Sequence, residues 1–215
     1  MTRPRLLAVT LALRAAGRRG ASRAWLALIP MWLVLVLLAM VAMQRYESTP
    51  SSTESAPTHW PPDSHISRSS GLPVLIMLAH PYCPCTRASL AELSRLLTTL
   101  SGRLDVHVLF IRPEGVDADW GSSDLLERAR QIPNVSVELD DAGREAALLG
   151  ARTSGDTLLY GADGRLLFHG GITSARGHEG DNVGSRRIIS LVTTGSTDLA
   201  SSAVFGCALS GDAPP

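Results

Sequence analysis

Lysine is absent from the 215 residues, so all 20 basic side chains are arginine. This reads as a bias of the source genome, since exposed helices elsewhere accept lysine freely. Aromatic residues are scarce, at 5%. Cysteines number three, too few for a domain stapled together by disulfides. No internal repeat is visible. Acid is missing from one part of the chain: residues 1–46 hold seven Arg and no Asp or Glu, and the first acid is Glu47. Beyond residue 46 the balance reverses, with 13 Arg against 20 acidic side chains. The formal net charge of zero hides this asymmetry. An acidic downstream region gives no reason to expect a nucleic-acid partner. The apolar share of 45% is ordinary and excludes a wholly disordered chain. Length allows one or two domains.

What is present begins with a long apolar run. Residues 24–43, AWLALIPMWLVLVLLAMVAM, carry no charge. Twenty helical residues span about 30 Å, the thickness of a hydrocarbon core. Pro30 lies near the start, where it kinks a membrane helix without ending it. The basic segment 1–23, with Arg3, Arg5, Arg14, Arg18, Arg19 and Arg23, precedes it. The positive-inside rule then puts the N-terminus in the cytoplasm and everything after residue 46 across the membrane. A cleaved signal peptide fits less well, because the run is too long and Ala39–Ala42 makes a poor cleavage site. Residues 44–70 are rich in Ser, Thr and Pro, with His59, Trp60 and His65 among them. That composition predicts a flexible stalk.

Residues 71–215 read as one α/β domain. Leu72–Ala79 is a continuous apolar run, a buried strand. Leu90, Leu93, Leu97 and Leu100 then recur at helical spacing, with Arg87, Glu92, Arg95 and Thr98 on the polar face. Residues 105–112 alternate as a second strand. A helix follows over 122–132, capped by Ser122 or Ser123, then a strand over 135–139 and a short helix over 143–151. Residues 157–160 and 166–169 flank a turn as a hairpin. A final helix runs over about 182–194. This order predicts a mainly parallel sheet, closed by antiparallel strands and covered by helices on both faces. Reactive groups collect where such strands end and the next helices begin.

Cys83-Pro84-Cys85-Thr86 stands at such a place. Pro favours the first helical position and holds the residue before it extended. Cys83 is therefore the expected N-cap, its sulfur facing the free N–H groups of Cys85 and Thr86. Those groups and the positive helix end favour a thiolate. Cys83 is the candidate nucleophile, and Cys85 the thiol that resolves a mixed disulfide. A disulfide across one residue closes a small ring, and any strain would make it labile and oxidising.

These residues resemble the thioredoxin-like superfamily: a strand, a Cys pair at a helix start, an inserted helix and strand, a hairpin and a last helix. The insertion resembles the membrane-anchored TlpA-like and peroxiredoxin-like branch. More closely, HPYCPCTRASLAEL, SGDTLLYGADGRLLFHGGIT, RGHEGDN and VFGC are similar to the RedB-type membrane-anchored thioredoxin-like proteins of bacteria. The resemblance implies a thioredoxin-like fold and redox-active cysteines. Two features depart from the superfamily's pattern. The motif is C-x-C rather than C-x-x-C. Thr153-Ser154-Gly155-Asp156 stands where the fold usually carries a cis-Pro.

Supporting candidates are His80, three residues before Cys83; Arg87, early in the helix; and His178, in the Gly-rich loop 170–184. That loop also holds Arg176, Glu179, Asp181 and Asn182, and Asp181 is a candidate cap for the last helix. His107 reads as structural, and His169 ends a strand. For Cys207 three roles stay open: redox partner, metal ligand or buried small hydrophobe. Two functions follow. One is a membrane-anchored thiol–disulfide redox protein without a cofactor, acting on a protein or small-molecule thiol or disulfide. The other is a copper-binding or copper-delivering protein using Cys83, Cys85, His178 and Cys207, since thiolates suit Cu(I). A peroxidase fits less well, because His80 and Tyr82 occupy the places where its Thr would stand.

Overall fold

The computed structural model describes residues 4–69, 71–116, 120, 122–196 and 198–209. The chain divides into two compact units, 1–46 and 47–215. The first is built from helix α1 (Pro4–Ser48), which runs through Pro30 without ending. Within its stretch Trp25–Ser48 an 18-residue apolar window has a mean hydropathy of 2.7, and no part of that window is buried. Length and composition are those of a membrane anchor or a signal sequence. The side chains of the basic segment expected over 1–23 lie outside the described residues.

The second unit holds β1 (Val74–Ala79), α2 (Pro84–Thr99), β2 (Asp105–Arg112), α3 (Asp124–Arg130), β3 (Ser136–Asp141), α4 (Arg144–Leu149), β4 (Asp156–Tyr160), β5 (Leu166–Gly171), α5 (Val183–Thr194) and β6 (Ala200–Ser201). The strands form one sheet in the order β3-β2-β1-β4-β5-β6. β1, β2 and β3 run parallel, β4 is antiparallel to both β1 and β5, and β6 is parallel to β5. Every residue of β1 is buried because helices cover both its faces. Leu75, Met77 and Ala79 meet Leu90, Leu93 and Leu96 of α2 and Ile188 of α5. Val74, Ile76 and Leu78 point the other way, toward Ala146 and Leu149 of α4, Tyr160 and Ile66.

The expected flexible stalk over 44–70 differs most from what is observed. Residues 48 and earlier belong to α1, and residues 51–68 are laid along the domain. Trp60 N–H donates to Gly164 O at 2.8 Å, Leu166 N–H to Thr58 O at 2.9 Å, and Tyr160 Oη to Pro57 O at 3.1 Å. Trp60 meets the edge of Tyr160, ring centroids 5.3 Å apart, and Arg68 stacks over Trp60. Glu145 accepts from Ser64 Oγ and the His65 N–H, both at 2.8 Å. A polar segment with few apolar groups is ordered here because its backbone is paired and its two large apolar residues are anchored.

Glu92 also departs from expectation. It is buried, at 4% exposed, rather than on a solvated helix face. Gly180 N–H donates to it at 2.6 Å and Asn182 Nδ2 at 3.2 Å, so it clamps the loop before α5 onto α2. Asn182, not Asp181, caps α5, accepting from Ser185 N–H at 2.8 Å. Asp181 pairs with Arg186 at the surface.

Candidate functional site

β1 delivers its C-terminal end to the turn His80-Pro81-Tyr82, and α2 starts at once. The turn is fixed by polar contacts. Cys83 N–H donates to His80 O at 3.2 Å, Tyr82 N–H to His80 Nδ1 at 3.2 Å, and His80 N–H to Ser154 Oγ at 2.9 Å. Thr86 Oγ1 donates to His80 O and shares a 2.8 Å hydrogen bond with Ser154 Oγ. Because His80 Nδ1 accepts, its neutral ring carries the proton on Nε2. Burial lowers the His80 pKa, and the negative charge of Cys83 partly offsets this.

Cys83 is the N-cap of α2, extended at φ −82°, ψ 118°, with Pro84 at the first helical position. Its sulfur makes no regular capping hydrogen bond, although the Cys85 N–H is near enough to favour its anion. It turns instead to Cys207, and the two Sγ atoms are 2.8 Å apart across 124 residues of sequence. The segment carrying Cys207 lies against the loop before β4. Ser154 N–H donates to Cys207 O at 2.8 Å, Leu209 N–H donates to Arg152 O at 2.9 Å, and Thr153 pairs with Ala208. Ser51 Oγ and Arg176 both donate to Gly206 O. Gly206 admits no side chain, since a Cβ there would sit 1.9 Å from Ser154 O. The three cysteines thus converge from a helix start and from a segment after the last strand.

Their environments push the three thiols apart. Cys83 is pulled well below the ordinary thiol range, first by Cys207 and then by Cys85, with burial opposing. The backbone N–H groups of Cys207 and Cys85 add to this. Cys207 is pushed up by Cys83, then by Cys85 and by burial. For Cys85 the contact with Cys207 pulls down, but Cys83 and burial prevail and its pKa rises. The directions of these shifts favour the anionic form at Cys83 and the protonated form at Cys207. Cys83 is 1% exposed, whereas Cys85 and Cys207 are both partly exposed.

The supporting candidates divide. His80 belongs to the site. Arg87 is turned to Asp124 of α3 in an exposed ion pair. His178 places Nδ1 2.9 Å from Arg176 O and Nε2 3.8 Å from the Glu47 carboxylate. Glu179 pairs with Arg95. The loop residue whose charge does act on the thiols is Arg176, which favours the anionic form of Cys85. Among the described residues no group of three His, Cys, Asp or Glu side chains is arranged to hold a metal ion. His107 pairs with Asp105 and Glu138 inside the sheet, and His169 with the fully buried Asp156. Trp120 escaped the sequence reading, which noted Ser154 only as part of the segment standing in place of a cis-Pro. Trp120 forms an aromatic group with His80 and Tyr82, at centroid distances of 6.2 and 5.0 Å.

No protein-family model matches the chain, nor does any curated protein sequence. Solved structures do. An uncharacterized conserved protein from Geobacillus kaustophilus is 16% identical with a TM-score of 0.54, covering 75% of this chain and 92% of that one. A hypothetical protein from Sinorhizobium meliloti is 18% identical with a TM-score of 0.52, covering 76% and 93%. A secreted Mycobacterium tuberculosis disulfide oxidoreductase is 15% identical with a TM-score of 0.41, covering 58% and 83%. The strand order, the antiparallel β4–β5 pair and the helices on both faces give the second unit a thioredoxin-like fold, behind one N-terminal apolar helix.

Proposed function

We propose that the chain is a thiol–disulfide exchange protein of the RedB type, in which Cys83 carries the exchange together with a neighbouring thiol. Helix α1 anchors it in the bacterial inner membrane with the N-terminus in the cytoplasm and the thioredoxin-like unit in the periplasm. Its partner is a protein or small molecule bearing a thiol or a disulfide. One observation supports this reading above the rest: Cys83 is buried at a helix start with its sulfur 2.8 Å from that of Cys207, an arrangement that favours its thiolate. A stabilised thiolate is a ready leaving group when its disulfide is reduced. Exchange needs no metal and no other cofactor.

The test uses the full chain in detergent. Wild type should form an internal disulfide with glutathione disulfide and pass it on to dithiothreitol, and Cys83→Ser should abolish both steps. Unchanged rates in Cys83→Ser would overturn the reading. Copper binding through Cys83, Cys85, His178 and Cys207 is the second reading, supported by the affinity of thiolates for Cu(I). If the reduced protein binds Cu(I) but exchanges with neither reagent, that reading replaces the first. A membrane-impermeant thiol reagent should label the reduced protein in cells stripped of their outer membrane. Labelling only after lysis would reverse the orientation.

A further inference from the structure

Two thiols flank Cys83, and the chain treats them differently. Cys85 lies in the first turn of α2, on the same rigid element with one residue between. Joining it to Cys83 closes a small ring and distorts the helix start. Cys207 comes from a separate segment, and its sulfur is already 2.8 Å from that of Cys83. Closing to the usual disulfide length takes a shift of about 0.8 Å. The backbone on both sides is held: Pro84 fixes the helix start, while Ser154, Arg152 and Gly206 fix the Cys207 segment. Cys83 is shielded from external sulfur, but Cys207 is partly exposed.

We propose that Cys83–Cys207 is the redox-active disulfide, and that a partner dithiol is oxidised at the Cys207 sulfur. This rests on the exchange reading above and assigns the residue that meets the substrate. One thiol of the dithiol loses its proton to solvent and attacks Cys207 Sγ. The Cys83–Cys207 bond breaks, and its electron pair leaves on Cys83 as a thiolate. The partner's second thiol, also deprotonated by solvent, attacks the partner sulfur of the mixed disulfide. Cys207 leaves and takes up a proton. The partner gains a disulfide and the protein gains two electrons and one proton. The low-pKa anion is thus the leaving group, and the accessible sulfur is the one attacked.

The full chain in detergent is oxidised with glutathione disulfide, quenched in acid with an alkylating reagent and mapped by peptide mass. The Cys83–Cys207 linkage should exceed any other by at least tenfold, with Cys85 alkylated. A dominant Cys83–Cys85 or Cys85–Cys207 linkage overturns the assignment and leaves the exchange reading standing. No internal disulfide and no exchange in wild type overturns both. A second measurement uses Cys83→Ser with glutathione disulfide as the probe: the glutathione adduct should sit on Cys207. An adduct on Cys85 alone overturns the assignment. Oxidised Cys207→Ser should also oxidise dithiothreitol at least tenfold more slowly than wild type, and an unchanged rate refutes the role of Cys207.

Discussion

Oxidising Cys83 with Cys207 should change the stability of the whole domain by an amount set by the spacing of the two residues. The cross-link closes a loop of 124 residues. Removing that freedom from the denatured chain is worth about 5 kcal/mol at 25 °C in the chain-entropy treatment. A Cys83–Cys85 bond spans two residues, and the same relation gives only about 1–1.5 kcal/mol. The assay is urea denaturation of the oxidised chain against the Cys83→Ser/Cys207→Ser double variant. That variant has neither the cross-link nor the thiolate, so it isolates the loop term. Against reduced wild type the difference is smaller, because the native thiolate also favours folding. Expected are a gain of about 5 kcal/mol, or roughly 10–20 °C in Tm for a unit of this size. The urea m-value should fall too, since the cross-linked denatured chain exposes less surface. A gain no larger than about 1.5 kcal/mol with an unchanged m-value would refute the long-loop disulfide.

The midpoint potential offers a pH test. Between the lowered pKa of Cys83 and the raised pKa of Cys207, the reduced pair holds one proton, so two electrons bring in one. The potential should fall by about 30 mV per pH unit, and a slope of about 59 mV would show both thiols protonated. Gly206→Ala brings a Cβ within 1.9 Å of Ser154 O and must displace the Cys207 segment. Internal disulfide formation, followed by acid quench, should slow at least tenfold, with about 1–3 kcal/mol lost from stability. Glu92→Ala strips the acceptor from Gly180 N–H and Asn182 Nδ2. It should cost about 3 kcal/mol by urea denaturation, against less than about 1 kcal/mol for the exposed Glu179→Ala. Trp60→Ala should cost about 2 kcal/mol or more if the segment is anchored on Tyr160, whereas a free stalk gives no change.

Much of the fold is legible in the sequence because the signals are local. The second strand falls on residues 105–112, as its alternation predicts. Ser123 and Cys83 both cap the helices they precede. The unanticipated parts are those fixed by partners distant in sequence. Composition marks 44–70 as linker, yet Trp60 and Ile66 find their places only because Tyr160 and Leu149 are elsewhere in the chain. Glu92 falls on the polar side of a helical wheel, and its burial comes from a loop nearly ninety residues later, whose Gly180 donates to it across |i−j| = 88. At the site, Cys83 is legible from Pro84. That Cys207 faces it is not, since β6 is two residues long and leaves no periodicity to read.

The separation of the two sulfurs also bears on biosynthesis. Cys83 leaves the ribosome 124 residues before Cys207. At 5–20 residues per second that interval is roughly 6–25 s. Through all of it Cys83 lacks the neighbour that does most to depress its pKa. It also lacks β4, which pairs with β1 beside it. A chain that has not reached residue 207 therefore presents a less acidic thiol, with Cys85 alone beside it. The more acidic one arises only when the segment carrying Cys207 docks, so a chain cut short before residue 207 is released without it.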